Sequence, residues 1–144
     1  KPLGVTAGIV PMNFPAMIPW GWMVPLSIAC GNTVVLKASS QTPLTAMRIM
    51  ELFYTEGGFP KGVVNLVTCS RVEADILLTD GRVKAVTFVG TTGVGKQVYS
   101  KAAAHGKRVQ GTSVRQRTMH LYLRTATLRL LLMRSSTPHM DAPV

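Results

Sequence analysis

Residues 62–104 read GVVNLVTCSRVEADILLTDGRVKAVTFVGTTGVGKQVYSKAAA. Residues 62–68 are apolar and largely β-branched, the composition of a strand buried on both faces. Residues 72–78 space their apolar side chains for a short helix. Residues 84–90 (KAVTFVG) return to strand composition, and residues 95–104 predict a second helix. Strand and helix alternating at this spacing predict βαβ units, hence strands that run parallel and helices that cross over between them.

The upstream sequence extends the pattern. LGVTAGIV (3–10) predicts another buried strand, followed by a turn over Pro11–Pro15. Residues 16–30 predict a mostly apolar helix, broken near Trp20-Gly21-Trp22. Gly31-Asn32 punctuates, and TVVLK (33–37) is a further strand. Thr42-Pro43 starts a helix, because proline at the first helical position loses no needed hydrogen bond. Leu44, Met47, Met50 and Phe53/Tyr54 recur at helical spacing as its apolar, core-packing face. Gly57-Gly58 ends it and Pro60 prevents its resumption. The expected fold is therefore α/β: a Rossmann-like parallel sheet with helices on both faces, over residues 3–104. Ligands bind such sheets at the carboxyl ends of the strands. That expectation singles out Val10–Phe14, Leu36–Gln41 and Val89–Gly95.

Composition narrows the function classes. A chain of 144 residues, 47% hydrophobic and 15% charged, has the size and core of one domain. No apolar run reaches the ~18 to 20 residues of a membrane span, and the opening residues Lys1–Val5 lack the layout of a signal peptide. Cys30 and Cys69 are too few for a disulfide framework and show no metal-ligand spacing, so no metal is expected. Cys30, in apolar surroundings, is read as a buried packing thiol. The net charge of +10 invites a nucleic-acid reading. Its distribution opposes that reading. Residues 1–110 carry eleven Lys and Arg against five Asp and Glu, mostly spread singly, with no aromatic-basic interleaving and no recognition motif. No nucleic-acid or membrane partner is expected.

Three short segments could carry chemistry. Gly90-Thr91-Thr92-Gly93-Val94-Gly95 follows a strand and opens a helix. Glycines there would let a phosphate approach backbone N–H groups at the positive end of a helix. The same residues also suit a plain tight turn, and they are not the common dinucleotide fingerprint. Lys37, at a strand's carboxyl edge, could bond ribose hydroxyls or phosphate, or simply be solvated. Asn13, where the first strand exits, could donate its amide to an oxyanion, or serve the turn.

Taken together, GIVPMNFPAMIP (8–19), ACGNTVVLKASSQTP (29–43), GFPKGVVNLV (58–67) and FVGTTGVG (88–95) resemble the aldehyde dehydrogenase superfamily in order and spacing. The NFPAMIP run and GKRVQ (106–110) are most similar to its CoA-acylating methylmalonate-semialdehyde dehydrogenase branch. The resemblance implies NAD as cofactor, coenzyme A as co-substrate and a small semialdehyde as substrate. It implies that Asn13 donates to the thiohemiacetal oxyanion and that Val10 and Met12 line the nicotinamide side of the cleft. Lys37, Ser40 and Gln41 would hold the adenosine ribose, and Gly90, Thr91 and Gly95 would approach the pyrophosphate. It further implies a homo-oligomer for the intact enzyme, and a mitochondrial location in a eukaryote or a cytoplasmic one otherwise. The chain departs from the family pattern at several points. Ala38 and Ser40 stand where a proline and a glutamate are usual, and Cys69 where a glycine is. The Trp20-Gly21-Trp22 stretch and Gly57-Gly58 are each one residue longer.

The likeness ends at Gln110. The expected organisation is a partial NAD-binding domain over residues 1–110 and an atypical tail over 111–144. The tail holds five Arg, no Lys and one acid, Asp141. It is either divergent or frame-shifted. From Thr112 onward, shifted codons with the free bases chosen to favour it can spell the family's lysine-asparagine-histidine continuation. The frame-shifted reading carries the expectation of a poorly ordered tail. The nucleophilic cysteine of the family follows the GKRVQ segment, whereas Cys30 and Cys69 precede it. The chain alone is thus expected to be inactive, a semialdehyde dehydrogenase piece or a non-catalytic nucleotide-binding or interaction fragment.

Overall fold

A computed structural model of the chain describes residues 1–113. Its elements run β1 (Val5–Ile9), a π-helical segment (Pro19–Met23) leading into α1 (Val24–Ala29), β2 (Thr33–Ala38), α2 (Pro43–Thr55) and β3 (Val64–Thr68). A 3-10 turn (Glu73–Asp75) leads into α3 (Ile76–Thr79), then β4 (Val83–Gly90), α4 (Thr92–Ala104) and β5 (Arg108–Ser113). The five strands form one sheet in the order β3-β2-β1-β4-β5, every pair parallel. The chain winds outward from β1 through β2 to β3, then returns to the other side of β1 for β4 and β5. Helices cover both faces, as the parallel, doubly covered reading requires.

Alternation along the strands sorts the core. In β2, Val34, Leu36 and Ala38 are buried, and they join Val10, Trp20, Val24, Ala46, Val64 and Val89 under α1 and α2. Thr33, Val35 and Lys37 are thereby turned to the opposite face. There Ala7, Leu77, Leu78, Val86, Phe88, Val98, Ala102 and Val109 form the second half of the core, beneath α3 and α4. The helix over β1 approaches closely at Gly8, where a Cβ would stand 3.1 Å from Leu36 Cδ1 and 3.3 Å from Met23 Sδ. A side chain there would need the ends of Leu36 and Met23 to give way by a few tenths of an ångström.

Two buried polar side chains tie the ends of the sheet. Asn32 accepts from the backbone N–H groups of Leu3 (2.7 Å) and Gly4 (3.1 Å) and donates to the Ser27 carbonyl (3.2 Å), so it joins the first strand's lead-in to the α1–β2 turn. Lys107, 4% exposed, donates from Nζ to the carbonyls of Val83 (2.8 Å) and Asp80. Burial pushes its ammonium below the ordinary lysine value, an effect partly offset by the Asp80 carboxylate. Those two carbonyls satisfy donors that would otherwise be costly to bury.

Several local expectations change. The helix over residues 16–30 is not broken at Trp20-Gly21-Trp22; it continues through the π-helical segment Pro19–Met23. A π turn holds one residue more than an α turn, so an extra residue is absorbed as a bulge and Trp20, Met23 and Val24 all stay buried. On α2, Leu44 and Met47 are 77% and 55% exposed; the inward face is Ala46, Ile49, Met50 and Phe53 instead. The crossover from β2 to β3 turns that helix one position away from the face its largest residues suggest. Helix α4 begins at Thr92, three residues before the expected Gly95, so Gly93 and Gly95 lie in its first turns. Cys30 is exposed, because it caps the carboxyl end of α1 and does not lie in its packed face. Strand β5 was not anticipated and extends past Gln110 to Ser113. The tail expectation beyond that point, residues 114–144, lies outside the described residues.

Candidate functional site

The winding of the sheet reverses between β1 and β4, and a crevice opens where crossovers leave in opposite directions. Three residues in register form its floor: Ile9 of β1 pairs with Lys37 of β2 on one side and Phe88 of β4 on the other. One wall is Arg71, Val72, Ala74, Asp75 and Leu78; the other is Val94, Gln97, Val98 and Lys101 of α4. The cleft they enclose measures about 410 Å³, within the range of small-molecule sites. Its interior is apolar and its rim polar. Two contacts cross the rim from wall to wall: Arg71 Nη2 donates to Gln97 Oε1, and Lys101 Nζ pairs with Asp75 at 2.5 Å.

The loop after β1 leaves from Ile9, the last residue of the strand and part of the cleft floor, and none of Val10–Phe14 lines the cleft itself. Val10 donates its backbone N–H to the Lys37 carbonyl at 3.3 Å, which continues the pairing one step beyond the strand. Phe14 then takes a φ of 61°, a left-handed conformation that a bulky side chain adopts at a cost. This bend sends the chain from the strand exit into the helix and leaves Asn13 exposed at the top. The Thr42 hydroxyl, at the start of α2, donates to the Met12 carbonyl at 3.4 Å and steadies the loop. Across the switch point, Thr91 is extended and α4 starts immediately after it, with the Gly95 N–H bonded to the Thr91 carbonyl at 2.9 Å. The positive end of a 13-residue helix therefore stands at the carboxyl edge of β4.

The aldehyde dehydrogenase family model matches residues 1–112. The chain belongs to the aldehyde dehydrogenase family. It is 58% identical over 109 residues to malonate-semialdehyde dehydrogenase 1 of Oceanobacillus iheyensis, covering 76% of this chain and 22% of that relative. Among solved structures, the methylmalonate-semialdehyde dehydrogenase DddC of Oceanimonas doudoroffii aligns with a TM-score of 0.75 at 47% identity. PnpE, in complex with nicotinamide adenine dinucleotide, aligns with a TM-score of 0.73 at 41% identity. Each alignment spans 78% of this chain and 23% of the other. The chain thus spans less than a quarter of the length of these relatives.

The fold gathers the family-derived positions unevenly. Lys37, Val10 and Gly90 lie at the carboxyl ends of three neighbouring strands: Lys37 is the penultimate residue of β2, Val10 follows β1 directly and Gly90 closes β4. Lys37 is on the cleft floor. Ser40 and Gln41 are exposed in the β2–α2 turn, with the Gln41 N–H bonded to the Ser39 hydroxyl. The Val10 side chain points into the α1/α2 half of the core and is 6% exposed, which leaves only its backbone at the strand exit. Met12 and Thr91 are exposed, and Gly90 and Gly95 half-buried. Cys69 lies in a neighbouring groove with Val35, Val67 and Ile76 and does not line the Lys37 cleft. Arg71, Asp75, Gln97 and Lys101 escaped sequence reasoning. They lie 26 residues apart in pairs, and no spacing rule joins them until the sheet order is known. Among the described residues no group of three His, Cys, Asp or Glu could hold a metal ion, and no helix is long and apolar enough to cross a membrane.

Proposed function

We propose that this chain is the dinucleotide-binding part of an NAD-dependent, CoA-acylating malonate- or methylmalonate-semialdehyde dehydrogenase. The observation that carries the reading is the cleft at the switch point, floored by Lys37 and set against the start of α4, in a chain 58% identical to a malonate-semialdehyde dehydrogenase. The donors suit the group. An apolar floor of Ile9 and Phe88 accepts a flat aromatic base, the Lys37 ammonium can donate to ribose hydroxyls, and the α4 terminus attracts pyrophosphate. Bound NAD supplies a hydride acceptor.

The roles of this chain's own residues follow from their places. Lys37, with Ser40 and Gln41 above it, holds the adenosine ribose. Gly90, Thr91 and Gly95 bring backbone close to the pyrophosphate. The Val10 backbone and the Met12 side chain border the nicotinamide end. Asn13, presented by the bend at Phe14, donates its amide N–H to the oxyanion that develops when a thiolate adds to the aldehyde carbonyl. Neither Cys30 at the end of α1 nor Cys69 beyond β3 takes the nucleophile's place. This chain therefore binds and orients, without turning over. Coenzyme A as acyl acceptor and homo-oligomeric assembly belong to the whole enzyme and are part of the same proposal.

Calorimetry with NAD tests the binding half, with saturable one-to-one association expected. The absence of any heat or shift in melting temperature at millimolar-scale NAD would refute it. The second half is tested by mixing the chain with NAD, coenzyme A and malonate semialdehyde. No NADH should form; turnover abolished by Cys30→Ala or Cys69→Ala would refute the non-catalytic assignment.

A further inference from the structure

The outward face of α2 is apolar where a surface helix is usually charged. Its inward residues Ala46, Ile49, Met50 and Phe53 pack into the core. The opposite face carries Leu44, Met47 and Leu52, which are 77%, 55% and 40% exposed. Exposed Thr55 shares that face with Arg48 and Glu51, the only charged side chains of the helix. At 3.6 residues per turn, Leu44, Arg48, Glu51 and Thr55 fall within roughly 60° of one another and form the centre of a stripe. Met47 and Leu52, about 140° apart around the helix, flank it. Single exposed apolar side chains are ordinary. Three on one stripe, with the only charges of the helix set between them, mark a surface that another helix covers. The stripe lies on the other side of the sheet from the cleft, whose wall is α4.

We propose that α2 is a self-association surface, on which a second copy of this chain docks by an antiparallel α2–α2 contact about a two-fold axis. The charges select that partner. Arg48 and Glu51 are 67% and 56% exposed and pair within the helix at 2.5 Å, an exposed contact too weak to commit the two groups to each other. A docking helix has to present a carboxylate level with Arg48 and a cation level with Glu51, in the reverse order along its axis. A second α2 running antiparallel presents that order when the axis passes midway between Arg48 and Glu51. Arg48 then stands level with the partner's Glu51, and Leu44 level with the partner's Thr55, while Met47 and Leu52 close the two flanks. Each contact occurs twice, as an isologous interface requires. A helix of 13 residues is about 20 Å long. The contact therefore falls below the ~1,200 Å² of stable complexes and yields a reversible, concentration-dependent dimer. This surface stands independently of the dinucleotide reading.

Sedimentation velocity on the full chain, from micromolar to millimolar concentration, tests the surface. The unchanged chain should show a reversible monomer–dimer equilibrium. Arg48→Glu and Glu51→Arg each set like charges against one another across the axis, and each should weaken the dimer by about tenfold or more. An equimolar mixture of the two variants should recover it, because one stripe is then acidic at its centre and the other basic. The double variant Arg48→Glu/Glu51→Arg should dimerise as the unchanged chain does. Recovery on mixing also shows that both variants fold. A chain that stays monomeric throughout would overturn the proposal and leave the stripe to the remainder of a longer enzyme. Association that Arg48→Glu leaves intact would overturn it by placing the contact elsewhere, as would a mixture no tighter than either variant alone.

Discussion

A Cβ placed on Gly90 would stand 2.5 Å from Cζ of Phe88, closer than two carbons can approach. The same ring comes within 3.3 Å of a Cβ placed on Gly95. Phe88 is 5% exposed and belongs to the α3/α4 half of the core while flooring the cleft. Two glycines of the Gly90–Gly95 turn thus make room for a packed aromatic ring, quite apart from any phosphate that approaches their backbone.

Gly90→Ala should therefore destabilise the protein by about 1–3 kcal/mol, the scale of overpacking a filled interior. Gly93→Ala is the internal contrast. Its Cβ would meet nothing within 4 Å and it lies inside α4, so it should gain about 0.5–1 kcal/mol of helix propensity. Urea unfolding of both variants checks the pair; equal midpoints would show that the Phe88 ring yields at no cost.

Lys37→Ala should weaken NAD binding by about 1–3 kcal/mol, the range for hydrogen bonds from a charged donor. Calorimetry reads it directly, and unchanged affinity would remove Lys37 from the ribose subsite. Lys61→Ala, in the exposed turn before β3, should leave affinity as it is.

Acid stability should depend on Asp80. Arg82 donates to its carboxylate through the side chain, with Nη2 at 2.6 Å, and through its backbone N–H at 2.8 Å, which together hold Asp80 well below the ordinary aspartate value. A depressed folded pKa means that the stabilisation is present above the unfolded value of about 3.9 and is lost as pH falls from there toward the folded one. The melting temperature of Asp80→Asn should accordingly fall less steeply below about pH 4 than that of the unchanged chain. Parallel acid limbs would show that the Arg82 pairing does not contribute.

The carboxyl boundary of the folded unit can be measured. Ending the chain after Gln110 removes the register pairs Phe88↔Gly111, Val89↔Thr112 and Gly90↔Ser113. A chain of residues 1–113 should therefore melt several degrees above one of residues 1–110, since about 1 kcal/mol shifts a domain of this size by roughly 4–8 °C. Coincident melts would place the boundary at Gln110.

The strands around Val34–Leu36 and Val86–Val89 were legible because strands buried on both faces must be apolar throughout, and the parallel arrangement followed from the helices between them. Lys37 and Gly90 were legible for the same reason, since strand ends are where such sheets bind ligands. The inward face of α2 was misread at Leu44 and Met47, because helical spacing reports a stripe without saying which way the crossover turns it. Cys30 was misread because apolar neighbours in sequence do not bury a residue at a helix end. Strand β5 went unrecognised: Arg108 and Gln110 are polar and exposed, on a strand that lies at the edge of the sheet among the described residues.

What the sequence determined by itself was local: the order of strands and helices, their parallel sense, and the positions that fall at strand ends, because backbone propensity, apolar periodicity and proline or glycine breaks act over a few residues. Tertiary structure alone decided that β4 lies beside β1. That single placement put Phe88 in register with Ile9 and Lys37 and stood α4 opposite the 71–75 segment. It brought Arg71 to Gln97 and Asp75 to Lys101 across 26 residues of chain. Contacts of that kind depend on which sheet edge a returning strand joins, a choice governed by the packing of the whole core and written in no single stretch of it.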